Sequence, residues 1–133
     1  MATKQVVRPG GIAKPAGVWS PAIVVTQPGK MVFLSGFTAR DENGDVVCAG
    51  DIKGQTRQVC ENLSKTIKAT GGNLSDIVSV CVFVKDIKNF DDIHSIRREY
   101  FPVDPPASTM VEVTGLVDPR MLIEINAIAV LPG

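Results

Sequence analysis

The stretch DIVSVCVFVKD, residues 76–86, decides the fold class of this chain. Between its charged ends, the run Ile77–Val84 consists almost entirely of β-branched and aromatic residues, which is typical of a β-strand. The run is nearly continuous in apolar residues rather than alternating. This pattern predicts a central strand covered on both faces, with another subunit as one possible cover for the second face.

A helix is predicted on each side of this strand in the chain. The upstream helix, Asp51–Thr70, has apolar residues at three- and four-residue spacing and ends at Gly71-Gly72, because glycine accepts the left-handed conformation of a C-cap. The downstream helix, Phe90–Tyr100, has a shorter apolar stripe and is followed by prolines at 102, 105 and 106.

Four further strands complete the predicted order ββ(β)–α–β–α–β–β. AIVV (22–25) and MVFLSG (31–36) are expected to form a hairpin around a Pro-Gly turn, after an irregular stretch of 20 residues. STMVEV (108–113) and MLIEINAIAV (121–130) end the chain. The order predicts one α+β domain over residues 1–133, with both helices on one face of a mixed sheet. The open sheet face is too apolar to stay exposed, which predicts oligomerisation through it.

Composition excludes several kinds of partner. The 14 Lys and Arg balance the 14 Asp and Glu, so no basic footprint for nucleic acid is expected. The three cysteines form no CxxC or Cys/His pattern, and we expect reduced thiols in a cytoplasmic protein without a metal site. Neither a signal-type segment nor a 20-residue apolar span is present, and no cofactor motif such as GxGxxG occurs, so no membrane or cofactor partner is expected.

Two strand carboxylates invite a functional interpretation. Glu124 lies in MLIEINAIAV with apolar residues on both sides, where a carboxylate needs a partner. It is interpreted either as a functional group or as a strand-edge glutamate paired with a cation at a subunit contact. Glu112 in MVEV raises the same question, and a structural ion pair or interface hydrogen bond is the favoured interpretation.

Three further features have open interpretations. The only histidine, His94, leans off the apolar stripe of its helix, which favours a surface or capping position over a general base. Arg97 and Arg98 are expected to be solvated or in local ion pairs. Ser35-Gly36 is either a simple end of a strand or a place where backbone N–H groups approach an anionic ligand.

Several segments together resemble the RidA/YjgF family, over about residues 20–131. They are VFLSGFTA, ATGGNLSDIVSVCVFVKDIKNFDDI, EYFP, PASTMVEVTGL and IEINAIAV. The resemblance implies a chorismate-mutase-like fold and a homotrimer with clefts between its subunits. It also implies hydrolysis of reactive enamines or imines, such as 2-aminoacrylate, to a keto acid and ammonia. Related members are described as 2-aminomuconate deaminases, and older names mention ribonuclease activity.

The resemblance also identifies candidate site residues. Active imine deaminases have a carboxylate-binding arginine in the pattern P-A-R-S/T-x-V-x-V, and Ser108 occupies that position here. The cleft glutamate, which positions or activates water, corresponds to Glu124, with His94 as a second catalytic candidate. Arg120 is a candidate for the missing cation. The other substrate-binding candidates are Ala22, Ser35, Gly36, Phe37 and Met110.

Two functions follow from these residues. In the first, the protein is a hydrolase of an enamine, an imine or a related C–N substrate other than a simple 2-imino acid. In the second, the trimer binds a small ligand or a regulatory partner without catalysis. A surviving carboxylate in apolar surroundings favours the first.

Overall fold

The computed structural model describes residues 3–27 and 29–132, and it confirms the predicted α+β class. Two short 3-10 turns, Leu74–Asp76 and Ile87–Asn89, lie immediately before the strand Ile77–Val84 and the helix Phe90–Tyr100. The elements are β1 (Thr3–Val7), β2 (Ala22–Thr26), β3 (Met31–Phe37), α1 (Ile52–Ala69), β4 (Ile77–Val84), α2 (Phe90–Tyr100), β5 (Ala107–Glu112) and β6 (Ile123–Val130).

The main sheet has four strands in the order β3-β6-β4-β5. Strand β6 pairs antiparallel with both β3 and β4, whereas β4 and β5 run parallel, so the sheet is mixed as predicted. The predicted central strand, β4, is confirmed as an interior strand, and β5 lies at one edge.

The predicted hairpin of residues 22–25 and 31–36 is wrong. Strand β2 pairs instead with β1 in a separate two-stranded sheet, in which Val6 lies opposite Ile23 and Gln5 opposite Val24. The expectation that the first 20 residues are irregular therefore fails for Thr3–Val7. Cross-strand pairs of β-branched side chains stabilise this arrangement, and β3 is left to pair with β6.

Helix α1 begins and ends where its sequence indicates. The side chain of Asp51 caps its start by accepting a hydrogen bond from the Gly54 N–H at 3.0 Å. Gly71 follows its end with a φ of +94°, in the left-handed region that glycine tolerates. The buried stripe of α1 packs into the core with the sheet residues and contains Val59, Leu63 and Ile67.

The two faces of the sheet have different surroundings. On β6, Ile123 and Ile125 are buried in the core beneath the helices, so the alternating residue Glu124 lies on the opposite, open face. On β5, Ser108 is in register with Val80, another core residue, and therefore faces the helices. In a single chain, Glu124 and Ser108 consequently lie on opposite faces of the sheet.

The open face carries large exposed apolar side chains. Phe33 of β3 is 71% exposed and Met31 is 58% exposed, and they lie opposite Ile128 and Val130 of β6. Such a patch is unusual for a surface that meets only water. Within the described ranges, no helix combines the length and apolarity needed to cross a membrane.

The cysteines differ in their surroundings. Cys60 is fully buried, and burial raises the pKa of its thiol to about 12, whereas Cys81 is half-buried and Cys48 is exposed. All three are free thiols. No cluster of three or more potential metal-ligating side chains occurs in residues 3–27 and 29–132.

Candidate functional site

Glu124 lies against the backbone of β3 at Gly36. The pairing of β3 with β6 shifts register between Leu34 and Phe37, which places Gly36 in a bulge. A Cβ atom at Gly36 would lie 2.9 Å from the Glu124 Cδ and would overlap one of its carboxylate oxygens. Glycine is therefore required at position 36, because any larger residue would keep the Glu124 carboxylate from approaching the β3 backbone this closely.

The Glu124 carboxylate borders a cleft of about 910 Å³. A cavity of this size accommodates a small organic molecule. The cleft lies at the β3 edge of the sheet, and its walls come from the end of β3, the turn that follows β3, one side of α1 and the segment before β6. The lining residues are Gly36, Phe37, Thr38, Arg40, Asp41, Glu42, Gly44, Gln58, Asn62, Lys65, Thr66, Val117, Met121 and Glu124.

Two amide side chains of α1 hold the cleft walls in place. The Asn62 amide donates to the backbone carbonyls of Thr38 at 3.3 Å and Arg40 at 3.0 Å. The buried Gln55 amide donates to the Arg120 carbonyl, and its oxygen accepts from the Leu122 N–H, both at 2.8 Å. Sequence reasoning missed both residues. Gln55 interrupts the apolar spacing of α1 between Ile52 and Val59, whereas Asn62 lies beside the apolar stripe and gives no such signal.

Arg120 does not line this cleft. It is exposed and forms an ion pair with Asp118, with a shortest distance of 2.7 Å. Hydrogen bonds from the Arg120 guanidinium and backbone lower the pKa of the Asp118 carboxyl to about 2. The cations that do line the cleft are Arg40 and Lys65, which the sequence did not single out.

Ser108 lies in a second polar cluster, formed with α2. The Arg97 guanidinium donates through Nη2 to the Ser108 hydroxyl and to the Val18 carbonyl, both at 3.1 Å. The Val18 N–H donates to His94 Nδ1 at 2.9 Å. Arg97 is only 1% exposed and His94 only 4%. The predicted solvated Arg97 and surface or capping His94 are therefore wrong.

His94 and Arg97 are buried because a segment that is distant in the sequence packs against α2. Residues 17–20, which we call the 17–20 segment, lie over α2 and exclude water from its inner side. The Trp19 and Phe90 rings surround the His94 imidazole, with ring centroids 5.6 and 4.3 Å away. Ser20 fixes the end of the segment through bonds to the Pro105 and Pro106 carbonyls. Arg98, by contrast, is exposed as expected.

Burial determines the charges in this cluster. Desolvation, with repulsion from Arg97 and Arg98, lowers the pKa of His94 to about 4. Desolvation lowers the pKa of Arg97 to about 10. At neutral pH His94 is therefore a neutral imidazole, and Arg97 still carries its positive charge.

The remaining candidates are dispersed. Met110 is half-buried against the core on the same side of β5 as Ser108, while Ser35 and Ala22 are exposed on β3 and β2. The Glu112 carboxylate accepts a hydrogen bond from the Ile87 N–H at 3.0 Å, which links β5 to the turn before α2. The structure thus groups Glu124 with Gly36 and Phe37, and it groups Ser108 with His94.

The chain is similar to known proteins over almost its whole length. The family model for endoribonuclease L-PSP matches residues 11–131. The 3-aminoacrylate deaminase RutC of Acinetobacter baylyi is 37% identical over 126 residues, which cover 95% of this chain and 97% of that protein. A RutC family protein of Sulfurisphaera tokodaii is 43% identical over 103 residues, which cover 77% and 80% of the two chains.

A solved structure agrees with these sequence matches. The conserved Rid family protein YyfB of Yersinia pestis superposes with a TM-score of 0.88 at 29% identity, over 96% of this chain and 98% of that one. The match of almost the entire domain, in both sequence and fold, shows that the chain belongs to the RidA/YjgF family.

Proposed function

We propose that the protein is a hydrolytic deaminase of an enamine or imine, with Glu124 as the residue that activates water. The observation that carries the proposal is the Glu124 carboxylate, which is held against Gly36 at the border of a cleft large enough for a small substrate. The name of the Acinetobacter relative, 3-aminoacrylate deaminase, supports the same reaction class.

The proposed chemistry is the hydrolysis of a C=N bond. Glu124 accepts a proton from water as the water oxygen bonds to the carbon of the protonated imine, and the π electrons move to the nitrogen and neutralise it. The resulting carbinolamine then collapses: the protonated Glu124 returns its proton to the nitrogen, the C–N bond breaks, the hydroxyl oxygen forms the carbonyl, and the hydroxyl proton passes to the Glu124 carboxylate as ammonia departs. An enamine substrate first gains a proton from solvent on carbon, which gives the same protonated imine.

The residue at position 108 bears on the choice of substrate. A serine hydroxyl carries no charge, whereas hydrogen bonds to charged groups contribute about 1.5–3 kcal/mol each. An arginine at this position would grip a carboxylate with two such bonds. We therefore propose that the preferred substrate is not a 2-aminoacrylate-type imino acid held in the usual way.

A second copy of the chain completes the proposed site. Because Glu124 and Ser108 lie on opposite faces of one sheet, a single chain cannot present both to one small molecule. The exposed apolar face around Phe33 offers the surface for association. We propose a homotrimer with its clefts between subunits. Light scattering that gives only the 14.2 kDa single chain would contradict it.

An ammonia-release assay tests the proposed activity. The purified protein will accelerate ammonia release from at least one member of a panel that contains generated 2-aminoacrylate, 3-aminoacrylate and larger enamines. The rate with 2-aminoacrylate will not be the highest of the panel, because Ser108 provides no cation to hold a 2-imino acid in the usual way. A silent panel, with thermal shifts on adding the same compounds, would instead identify a binding protein without catalysis.

A further inference from the structure

Two buried nitrogens of α2 lack hydrogen-bond partners in the part of the chain that the structure describes. They are the Arg97 Nη1 and the His94 Nε2. No carboxylate in the same ranges forms an ion pair with Arg97. A buried guanidinium without an acceptor or counter-charge is costly, so the two nitrogens call for a group that the described chain does not provide.

Both nitrogens are donors. The Val18 N–H donates to His94 Nδ1, so in the neutral imidazole the proton is on Nε2. Arg97 has only donors, and because residues 94 and 97 are three apart on α2 they share one face of the helix. The Ser108 oxygen accepts from Arg97, which leaves its own proton available. The cluster therefore offers three donors, one positive charge and no free acceptor.

We infer that Arg97, His94 and Ser108 form a binding site for the carboxylate of the substrate, with Arg97 supplying from α2 the charge that β5 lacks. This inference rests on the proposed deaminase function and names the anchoring group of its substrate. A carboxylate matches the cluster because it has one negative charge and several acceptor positions for charge-assisted hydrogen bonds.

The position of the cation favours particular substrates. An arginine at position 108 would carry its guanidinium at the far end of a long side chain, whereas the Arg97 Nη2 lies 3.1 Å from the Ser108 hydroxyl, directly at β5. The carboxylate is then held deeper, on the helix side of the strand. Substrates whose carboxylate is separated by a carbon from the reacting C–N carbon are therefore favoured over 2-imino acids.

The 17–20 segment controls access to this site. Its Val18 amide and carbonyl bond to His94 and Arg97, and a Cβ atom at Gly17 would lie 2.6 Å from His94 Nε2. The segment thus lies directly on one of the two unpartnered donors. Carboxylate binding therefore has to move Gly17 away from His94 Nε2, and we expect binding to include a slow step.

Binding of a stable probe tests the inference. Titration calorimetry will detect 3-hydroxypropanoate but not its neutral amide, 3-hydroxypropanamide. Arg97→Gln will weaken binding of the carboxylate at least about 10-fold, since it removes a charged hydrogen bond, and Arg97→Lys will retain part of the affinity. Arg98→Gln, at the exposed neighbouring position, is the matched control and will bind like the wild type.

His94 gives a second readout because it is the only histidine in the chain. Its imidazole ¹⁵N resonances will shift when the carboxylate binds and will not shift with the amide. If Arg97→Gln fails to fold, Ser108→Ala serves in its place, with a several-fold loss of carboxylate affinity. Equal affinity for carboxylate and amide, or unchanged affinity in the folded variants, would overturn the inference.

The same titrations separate this inference from the proposed function. Glu124→Gln will still bind 3-hydroxypropanoate in preference to its amide, because the carboxylate is held by Arg97 and Ser108 rather than by Glu124. If Glu124→Gln stays fully active while Arg97→Gln loses carboxylate binding, the deaminase mechanism is wrong and the anion site stands. If Glu124→Gln is inactive and Arg97→Gln binds normally, the anion site is wrong and the mechanism stands.

Discussion

Replacing Glu124 by glutamine will lower kcat for ammonia release by about 10²–10⁴-fold, the usual contribution of a general base. Glutamine has the size of glutamate and keeps an acceptor oxygen next to Gly36, but it cannot take a proton from water. The loss will therefore appear in kcat, with little change in KM. Steady-state kinetics on the best substrate of the enamine panel measure both constants.

Glu112→Gln is the matched control for this substitution. Glu112 is also a strand glutamate, but its carboxylate accepts a backbone hydrogen bond from Ile87, and it does not line the cleft. Glutamine can accept the same bond, so the control will keep wild-type kcat. An active Glu124→Gln enzyme, or equal losses in the two variants, would rule out Glu124 as the base.

Gly36→Ala will reduce kcat/KM by about 10²-fold, because it displaces the carboxylate that Gly36 admits. The added methyl group would overlap a carboxylate oxygen and lie 2.9 Å from the Glu124 Cδ. Displacement of a catalytic group by about 1 Å has an effect of this size. The chain will still fold, because Gly36 lies in a bulge near the end of β3 and is exposed.

Gly10→Ala, in a loop, is the control for the Gly36→Ala substitution. A Cβ atom at Gly10 has no neighbour within 4 Å, so this variant will keep wild-type kinetics and thermal stability. Circular dichroism will show whether both variants are folded. Wild-type activity in Gly36→Ala would show that the close approach of Glu124 to β3 has no role in the reaction.

Much of the fold follows from local sequence patterns. The apolar spacing of α1 with its Asp51 cap and Gly71 end, and the apolar run of β4, agree with the structure because the signals for these elements lie within them. Strand β1 was missed because its pattern, TKQVV, is short and is followed by RPGG, and its partner β2 comes only after that irregular stretch. The pairing of strands therefore depends on contacts across the whole chain and not only on the turn between two successive strands.

The candidate site, too, could be predicted from the sequence only in part. Glu124 was identified because a carboxylate among apolar strand residues is visible in the sequence. The burial of His94 and Arg97 was not, because it depends on the 17–20 segment, which contacts α2 from more than 70 residues away. On sequence alone, a histidine beside the apolar stripe and an arginine pair resemble a solvated helix face. Nothing local indicates that another segment covers them.

The central claim is that hydrolysis occurs at Glu124 in a cleft that a second copy completes, and subunit mixing tests it most directly. Glu124→Gln removes the base on the open sheet face, whereas Ser108→Asp places a repelling carboxylate on the helix face; each variant alone will be inactive. Unfolded and refolded together in equal amounts, they will recover about a quarter of wild-type ammonia release, because one cleft in four then receives both intact halves. An active Ser108→Asp parent, or a mixture as inactive as its parents, would contradict the claim.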